Sequence, residues 1–244
     1  MLYKTRGIVL NSVKYSETSL IIKIYTEEFG LQSYMVRGVR SKSAKIKPAL
    51  LQNLSLVDLE VYHKEKKSIQ TIKELRPGYT FGSIPFNMKK SAIAVFLNEI
   101  LYKAILEEEQ NIDLFGFIYE SVKLLDMEPD ANPNFHLLFM VHLTKFLGFF
   151  PKNNFSDRNS VFDLQEGLFK KPDLPGKLLL EMPGSSYLNN LINTAFDKLS
   201  SLQIPSKTRI LILENLIKYY ALHLPGFGTV KSHIVMKEVL RDSN

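Results

Sequence analysis

The sequence predicts an α+β fold in two parts, a small β-barrel followed by a mainly helical region. Through residues 1–80, short segments rich in β-branched and aromatic residues alternate with polar or glycine-containing connections. From residue 81 onward, apolar residues instead recur with the helical period of about 3.6. Because runs of strands followed by runs of helices indicate α+β architecture, we expect one domain over 1–80 and a second over 81–244.

Five segments of the first domain are predicted strands, since several of them alternate apolar and polar residues with a period of two. They are KTRGIVLNSVKY, SLIIKIYT, LQSYMVRG, LQNLSLVDLEVYH and SIQTIKEL. Five short strands with a turn about every ten residues are typical of a small closed barrel or sandwich. A barrel of the oligonucleotide-binding (OB) type fits this count.

The second domain is predicted to be helical, with an irregular insertion at about 151–184 that holds two short strands. Ser206 is a plausible N-cap for the helix that follows it, and Pro225 with Gly226 is a plausible stop. The predicted helices are KKSAIAVFLNEILYKAILEEE, DLFGFIYESVKLLDM, PNFHLLFMVHLTKFLGF, SYLNNLINTAFDKLSSL, SKTRILILENLIKYYALHL and KSHIVMKEVL.

The positive charge is concentrated in the first domain. The whole chain of 244 residues has a net charge of +6, but residues 1–80 hold 14 Lys and Arg against 7 Asp and Glu, and the remainder holds 17 against 18. A localised basic excess favours a polyanion partner or an anionic membrane surface. A merely solvated face is the alternative.

The stretch VRGVRSKSAKIKP, from Val36 to Pro48, carries five cations and no acidic residue. Arg and Lys beside Ser and Gly suit phosphate binding, and OB barrels combine such a groove with aromatic platforms for bases. Candidate platforms are Tyr15, Tyr25, Phe29 and Tyr34, although core packing is their alternative role. We expect DNA phosphates to contact Arg37, Arg40, Lys42, Lys45, Lys47, Lys14 and Arg6. Lys4, Lys23 and the cluster 64–67 either extend this track or are solvated turns.

No catalytic or metal-binding pattern accompanies the basic segment. Cysteine is absent, which excludes disulfides and thiolate zinc sites and suits the cytoplasm. His136 and His142 would point about 120° apart on a helix and are poor co-ligands. GFGTVKS, from Gly226, lacks the glycine spacing of a phosphate loop. We therefore expect no enzyme activity, cofactor or metal, and, without an apolar run of roughly eighteen residues, no membrane span.

Several motifs then support a family resemblance. RGIVLNSVKYSETSLIIKIYTEEFGLQSYMVRGVR, LGFFP (Leu147–Pro151), FDLQEGLF (Phe162–Phe169) and the closing YYALHLPGFGTVKSHIVMKEVL follow in order along nearly the whole chain. Together they resemble RecO, a family of bacterial DNA-repair proteins that mediate recombination. One departure is that many members carry four zinc-binding cysteines after L-G-F-x-P, whereas this chain has none. We expect this segment to hold its shape by packing alone.

The resemblance implies an OB domain that binds single- and double-stranded DNA, anneals complementary strands and helps to load RecA. It also implies two protein partners, RecR and the acidic tail of single-strand-binding protein (SSB). For the tail, the candidate residues are Lys145, Phe146 and Phe149. The residues leave two alternatives open: a scaffold whose barrel binds an acidic protein, and a small-molecule hydrolase with an unrecognised site.

Overall fold

A computed structural model describes residues 1–39, 46–172 and 178–241. Its first part is a closed barrel with the strand order β1-β2-β3-β5-β4. Strand β1 pairs with both β2 and β4, and a parallel pairing of β3 with β5 closes the barrel. The predicted α+β class and OB-type barrel are thereby confirmed. The strands are β1 (Leu2–Lys14), β2 (Leu20–Thr26), β3 (Gly30–Val36), β4 (Leu56–Tyr62) and β5 (Ile69–Pro77).

The period-two pattern of the strands builds the barrel core. Ile22 and Ile24 of β2, Tyr34 of β3, and Val57 and Val61 of β4 all point inward and are fully buried. The side chains between these core positions point away from the barrel interior, so each strand has a second face on the outside of the barrel. That outer face decides which charges remain available to a partner.

Two helices, α1 (Met88–Ala104) and α2 (Ile112–Met127), belong to the same compact unit as the barrel, Met1–Met127. Asn98 on α1 donates a hydrogen bond of 3.0 Å to the backbone carbonyl of Leu10 in β1. The carboxylate of Asp126 on α2 accepts backbone N–H groups from Gly82, Ser83 and Ile84, each at 2.8 Å. Burial alone would raise the pKa of Asp126, but these hydrogen bonds hold it below its ordinary value. Asn98 thus fixes α1 to the barrel, and Asp126 fixes α2 to the segment that follows β5.

The second compact unit is Glu128–Asn244. It combines helices with a three-stranded sheet of order β7-β6-β8. The domain boundary expected between residues 80 and 81 follows β5, the last strand of the barrel, which ends at Pro77. As a boundary between domains it stays a prediction. The elements are α3 (Phe135–Phe146), β6 (Val161–Asp163), β7 (Leu168–Lys170), β8 (Leu179–Leu180), α4 (Gly184–Asn193), α5 (Ser206–His223) and α6 (Ser232–Val239).

Three local predictions in this unit were wrong. The helix predicted over SYLNNLINTAFDKLSSL is α4 followed by a separate 3-10 turn, Phe196–Ser201, because the backbone is extended at Thr194. Pro205, not Ser206, occupies the N-cap position of α5, and no side chain caps that helix. Within its described residues, the irregular insertion contains three short strands where two were expected. No helix in the described residues is both long and apolar enough to cross a membrane.

Candidate nucleic-acid interface

One end of the barrel brings together cations that are separate in sequence. Lys14 ends β1 opposite Leu20, and Val36 ends β3 opposite the same Leu20 from the other side. Arg37 follows Val36 directly, so both cations lie at the same end of three adjacent strands. The strand register thus places the end of β1 and the beginning of the basic segment at the same end of the barrel.

Backbone contacts fix the first residues of the basic segment. Gly38 has a φ of +69°, a left-handed conformation that glycine adopts without strain. Val39 then donates a hydrogen bond of 3.0 Å to the carbonyl of Thr18 in the β1–β2 turn. Its side chain is buried in the barrel core. Anchored in this way, the chain leaves Arg37 exposed.

The far end of the basic segment is anchored as well. Lys47 is exposed and precedes a 3-10 turn, Pro48–Leu51, in which Leu50 donates a hydrogen bond of 3.0 Å to the Lys47 carbonyl. Leu50 and Leu51 both pack against the barrel core. Between the two anchors, Arg40, Lys42 and Lys45 lie outside the described residues.

We use the name basic loop surface for Lys14 and Tyr15 at the end of β1 together with Arg37 and Lys47, which lie at the two ends of the basic segment. In the described part of the chain, none of its three cations forms an ion pair with a carboxylate. Glu17, also exposed, is an acidic residue in the neighbouring turn. Cations without internal partners are free to bind an external anion, which is the property that a phosphate-binding surface requires.

Only one predicted aromatic platform belongs to this surface. Tyr15 is 62% exposed and follows Lys14 directly. Tyr25 and Tyr34 are buried, and burial raises the pKa of both phenols. Phe29 stacks on His63 with ring centres 4.0 Å apart. Core packing therefore accounts for Tyr25, Tyr34 and Phe29.

Arg6 lies elsewhere and has internal partners. Its guanidinium donates two hydrogen bonds to Glu27, of 2.8 and 2.6 Å, and lies 4.9 Å from the ring centre of Tyr119. The hydrogen bonds raise the pKa of Arg6 and lower that of Glu27. A bidentate pair of this kind competes with any phosphate for the same fork of donors. The structure thus favours a structural role for Arg6.

The outer face of β1, β4 and β5, together with Glu27 just after β2, carries charge of both signs in equal number. Lys4 and Lys73 pair with Glu60 at 3.7 and 2.9 Å, and Arg76 pairs with Glu74 at 2.7 Å. A shallow cleft of about 370 Å³ runs along this face. We call it the mixed-charge face: Lys4, Arg6, Lys73 and Arg76 with Glu27, Asp58, Glu60 and Glu74. Balanced charges give it little attraction for a polyanion.

In the second unit, the predicted tail-docking residues differ in exposure and in the partners of their side chains. Lys145 is exposed in the last turn of α3 and Phe146 is half-buried. Phe149 packs instead among Tyr219 and His223, with ring centres 5.5 and 5.3 Å away. Its carbonyl accepts a hydrogen bond of 2.7 Å from the Tyr219 hydroxyl. Phe149 thus belongs to the packing of this unit.

Polar contacts, and not packing alone, shape the segment that follows LGFFP. The Asn154 side chain donates to the carbonyl of Phe169 and accepts its N–H, both at 2.9 Å. Asp163 accepts a hydrogen bond of 2.9 Å from Lys170. Among the described residues, no group of three or more His, Asp or Glu side chains is placed to hold a metal ion. Sequence reasoning missed Asn154 because one asparagine in a polar segment carries no distinctive signal.

The fold and this site define a class: an OB-type barrel with a basic loop surface, continued by helices and a small sheet. Comparison with known proteins gives the family. Residues 1–81 match the model of the Recombination protein O N terminal domain, and residues 85–232 match that of the C terminal domain. The chain belongs to the RecO family of DNA repair proteins, which confirms the predicted resemblance.

Individual RecO proteins are similar to this chain along nearly its full length. The DNA repair protein RecO of Flavobacterium psychrophilum is 38% identical over 240 residues, covering 98% of this chain and 99% of the relative. That of Bacteroides fragilis is 37% identical over 250 residues, with the same coverage. That of Azobacteroides pseudotrichonymphae is 33% identical over 239 residues, again with the same coverage.

Proposed function

We propose that this protein is a non-enzymatic mediator of recombinational DNA repair. It binds single- and double-stranded DNA, anneals complementary strands and assists the loading of RecA onto DNA coated by SSB. The observation that carries the proposal is the basic loop surface, whose cations Lys14, Arg37 and Lys47 have no carboxylate partner in the described residues. Family membership supports it, since the relatives are DNA repair proteins.

Annealing needs no catalytic group. Two DNA strands repel each other through their phosphates, and a cationic surface lowers that repulsion while it holds a strand in place. Tyr15 adds an exposed ring on which a base of any sequence can stack. In the residues that the structure describes, this surface contains no helix that could read base edges, so binding is expected to be independent of sequence.

The proposed protein partners are RecR and the C-terminal tail of SSB, and RecA is affected indirectly. The proposed setting is the bacterial cytoplasm. For the acidic tail, Lys145 is the exposed cation among the predicted residues, whereas Phe149 is half-buried beside the rings of Tyr219 and His223. A docking partner that contacts Phe149 would therefore compete with these two ring contacts.

Fluorescence anisotropy with a labelled oligonucleotide tests the proposal. At low salt the wild type is expected to bind, and the triple variant K14A/R37A/K47A is expected to bind at least about tenfold more weakly because it loses up to three phosphate contacts. The matched control is K4A/K73A/R76A on the mixed-charge face, which changes the net charge equally.

The control separates a local surface from the general charge of the protein. We expect its affinity to stay within about twofold of wild type, because the neighbouring carboxylates of Glu60 and Glu74 offset the attraction of these cations for phosphates. Equal losses in both triples would point to net charge alone. Absence of binding by the wild type at low salt would overturn the mediator proposal and favour an acidic protein as the partner.

A further inference from the structure

A second group of exposed cations lies in the turn between β4 and β5. This turn contains Lys64, Lys66 and Lys67 with one acidic residue, Glu65, and all four side chains are exposed. In the described part of the chain, none of the three lysines forms an ion pair. We call this group the Lys64–Lys67 turn.

A buried side chain fixes the backbone of this turn. Gln70 is 1% exposed, and its amide accepts the N–H of Lys64 at 3.0 Å and donates to the carbonyls of Lys64 and Lys67 at 2.9 and 2.6 Å. Lys67 also donates its N–H to the Lys64 carbonyl at 3.0 Å. The turn is thus ordered from inside the protein, while its three ammonium groups remain available to solvent.

Aromatic side chains lie beside the turn. Tyr62, the last residue of β4, is 47% exposed and lies opposite Leu2. Tyr3 is 37% exposed and packs edge-on against Phe29, with ring centres 5.1 Å apart. Rings next to exposed cations form the combination that binds single strands without sequence preference.

This turn and the basic loop surface lie at opposite ends of strand β1. Leu2 at its beginning pairs with Tyr62 beside the turn, whereas Lys14 at its end pairs with Leu20. The 13 residues of β1 correspond to at most about 40 Å of extended chain. The first half of β1 contributes Lys4 to the mixed-charge face, where Glu60 pairs with it. The mixed-charge face, in which cations and carboxylates are equal in number, thus lies next to the turn along β1.

We propose that the Lys64–Lys67 turn is a second phosphate-binding surface, which holds one DNA strand while another occupies the basic loop surface. This inference rests on the proposed function, and it replaces a single continuous track with two separate surfaces. Flexible lysines neutralise phosphates of any sequence. Two strands held on one barrel gain a high effective concentration for each other, which is what annealing requires.

The test uses two short oligonucleotides of about eight nucleotides, within the site size of one OB fold. They are non-complementary and carry a donor and an acceptor fluorophore. The wild type is expected to hold both at once and give energy transfer between them. K64A/K66A/K67A is expected to weaken binding of the second oligonucleotide roughly tenfold, while the first binds within about twofold of wild type.

The triple K4A/K73A/R76A again serves as the control of equal charge and is expected to keep energy transfer. Binding of only one oligonucleotide by the wild type would overturn the second surface and leave the proposed function intact. A parallel loss of both binding events in K64A/K66A/K67A would also overturn it, because that result describes one continuous site. If the wild type binds no oligonucleotide at all, the proposed function itself fails.

Discussion

At the scale of single residues, the buried His136 in α3 couples the stability of the fold to pH. It is 3% exposed, and burial, with a smaller effect from the charge of Arg209, lowers its pKa from 6.5 to about 3. The folded protein therefore keeps this imidazole neutral under conditions in which the unfolded chain protonates it. Its contribution to stability is complete above pH 6.5 and is lost progressively as the pH falls toward 3.

The His136→Gln variant should accordingly be less dependent on pH than the wild type. Between pH 7 and pH 5, we expect the free energy of unfolding of the wild type to fall by about 2 kcal/mol more than that of the variant. Urea unfolding at both pH values measures this difference. Between pH 8 and pH 7 the free energies of unfolding of the two proteins should change nearly in parallel. If they still fall in parallel between pH 7 and pH 5, that result would contradict a buried neutral histidine.

Arg6 and Tyr15 illustrate how much the sequence alone predicts about the role of a single residue. Both were predicted near a DNA path from residue type and position. Whether an arginine is free depends on a carboxylate such as Glu27, 21 residues away in the chain, and that distance becomes short only through the pairing of β1 with β2. The exposure of a tyrosine depends likewise on where the fold places it: Tyr25 and Tyr34 lie within strands and are buried, whereas Tyr15 follows the end of β1 and is exposed. The sequence therefore predicts the chemistry of a side chain, but it does not predict whether the folded protein leaves that side chain free to bind a partner.

At the scale of elements, the period of the apolar residues predicted the five barrel strands and most helices. It did not predict where a helix is interrupted. The extended backbone at Thr194 interrupts a pattern that remains apolar on both sides, so the periodicity gives no sign of it. The three short strands of the small sheet are held partly by side chains such as Asn154. Contacts of this kind are invisible to a pattern of apolar spacing.

Asn154→Ala should destabilise the second unit by about 1–3 kcal/mol, because it leaves the N–H and carbonyl of Phe169 without their side-chain partner. Thermal or urea unfolding measures the loss. The neighbouring Asn153→Ala is the matched control, since that amide bonds to Asn193 at the exposed surface. A change within about 0.5 kcal/mol is expected there.

The same segment allows a direct test of the proposed absence of zinc. We expect elemental analysis after dialysis to find no stoichiometric zinc, and a chelator to leave the unfolding midpoint unchanged. Hydrogen bonds of Asn154 and the pair of Asp163 with Lys170 supply the order that a metal would otherwise give. Stoichiometric zinc, or a midpoint that falls with the chelator, would contradict this account.

At the scale of the whole molecule, the distribution of charge connects the fold to the proposed function. The excess of cations in residues 1–80 was visible in the sequence, but the sequence could not divide it into separate surfaces. The barrel places balanced pairs on the mixed-charge face and leaves unpaired cations on the basic loop surface and the Lys64–Lys67 turn. Strand register creates this division, because it determines which cation meets a carboxylate.

The dependence of DNA affinity on salt tests the central claim most directly. Each phosphate contact on a single strand contributes about −0.7 to the slope of log K against log salt. For K14A/R37A/K47A we predict a slope shallower than that of wild type by about 2, from three lost contacts, with the slope of K4A/K73A/R76A unchanged. A wild-type slope retained by K14A/R37A/K47A would contradict the assignment of the basic loop surface to DNA phosphates.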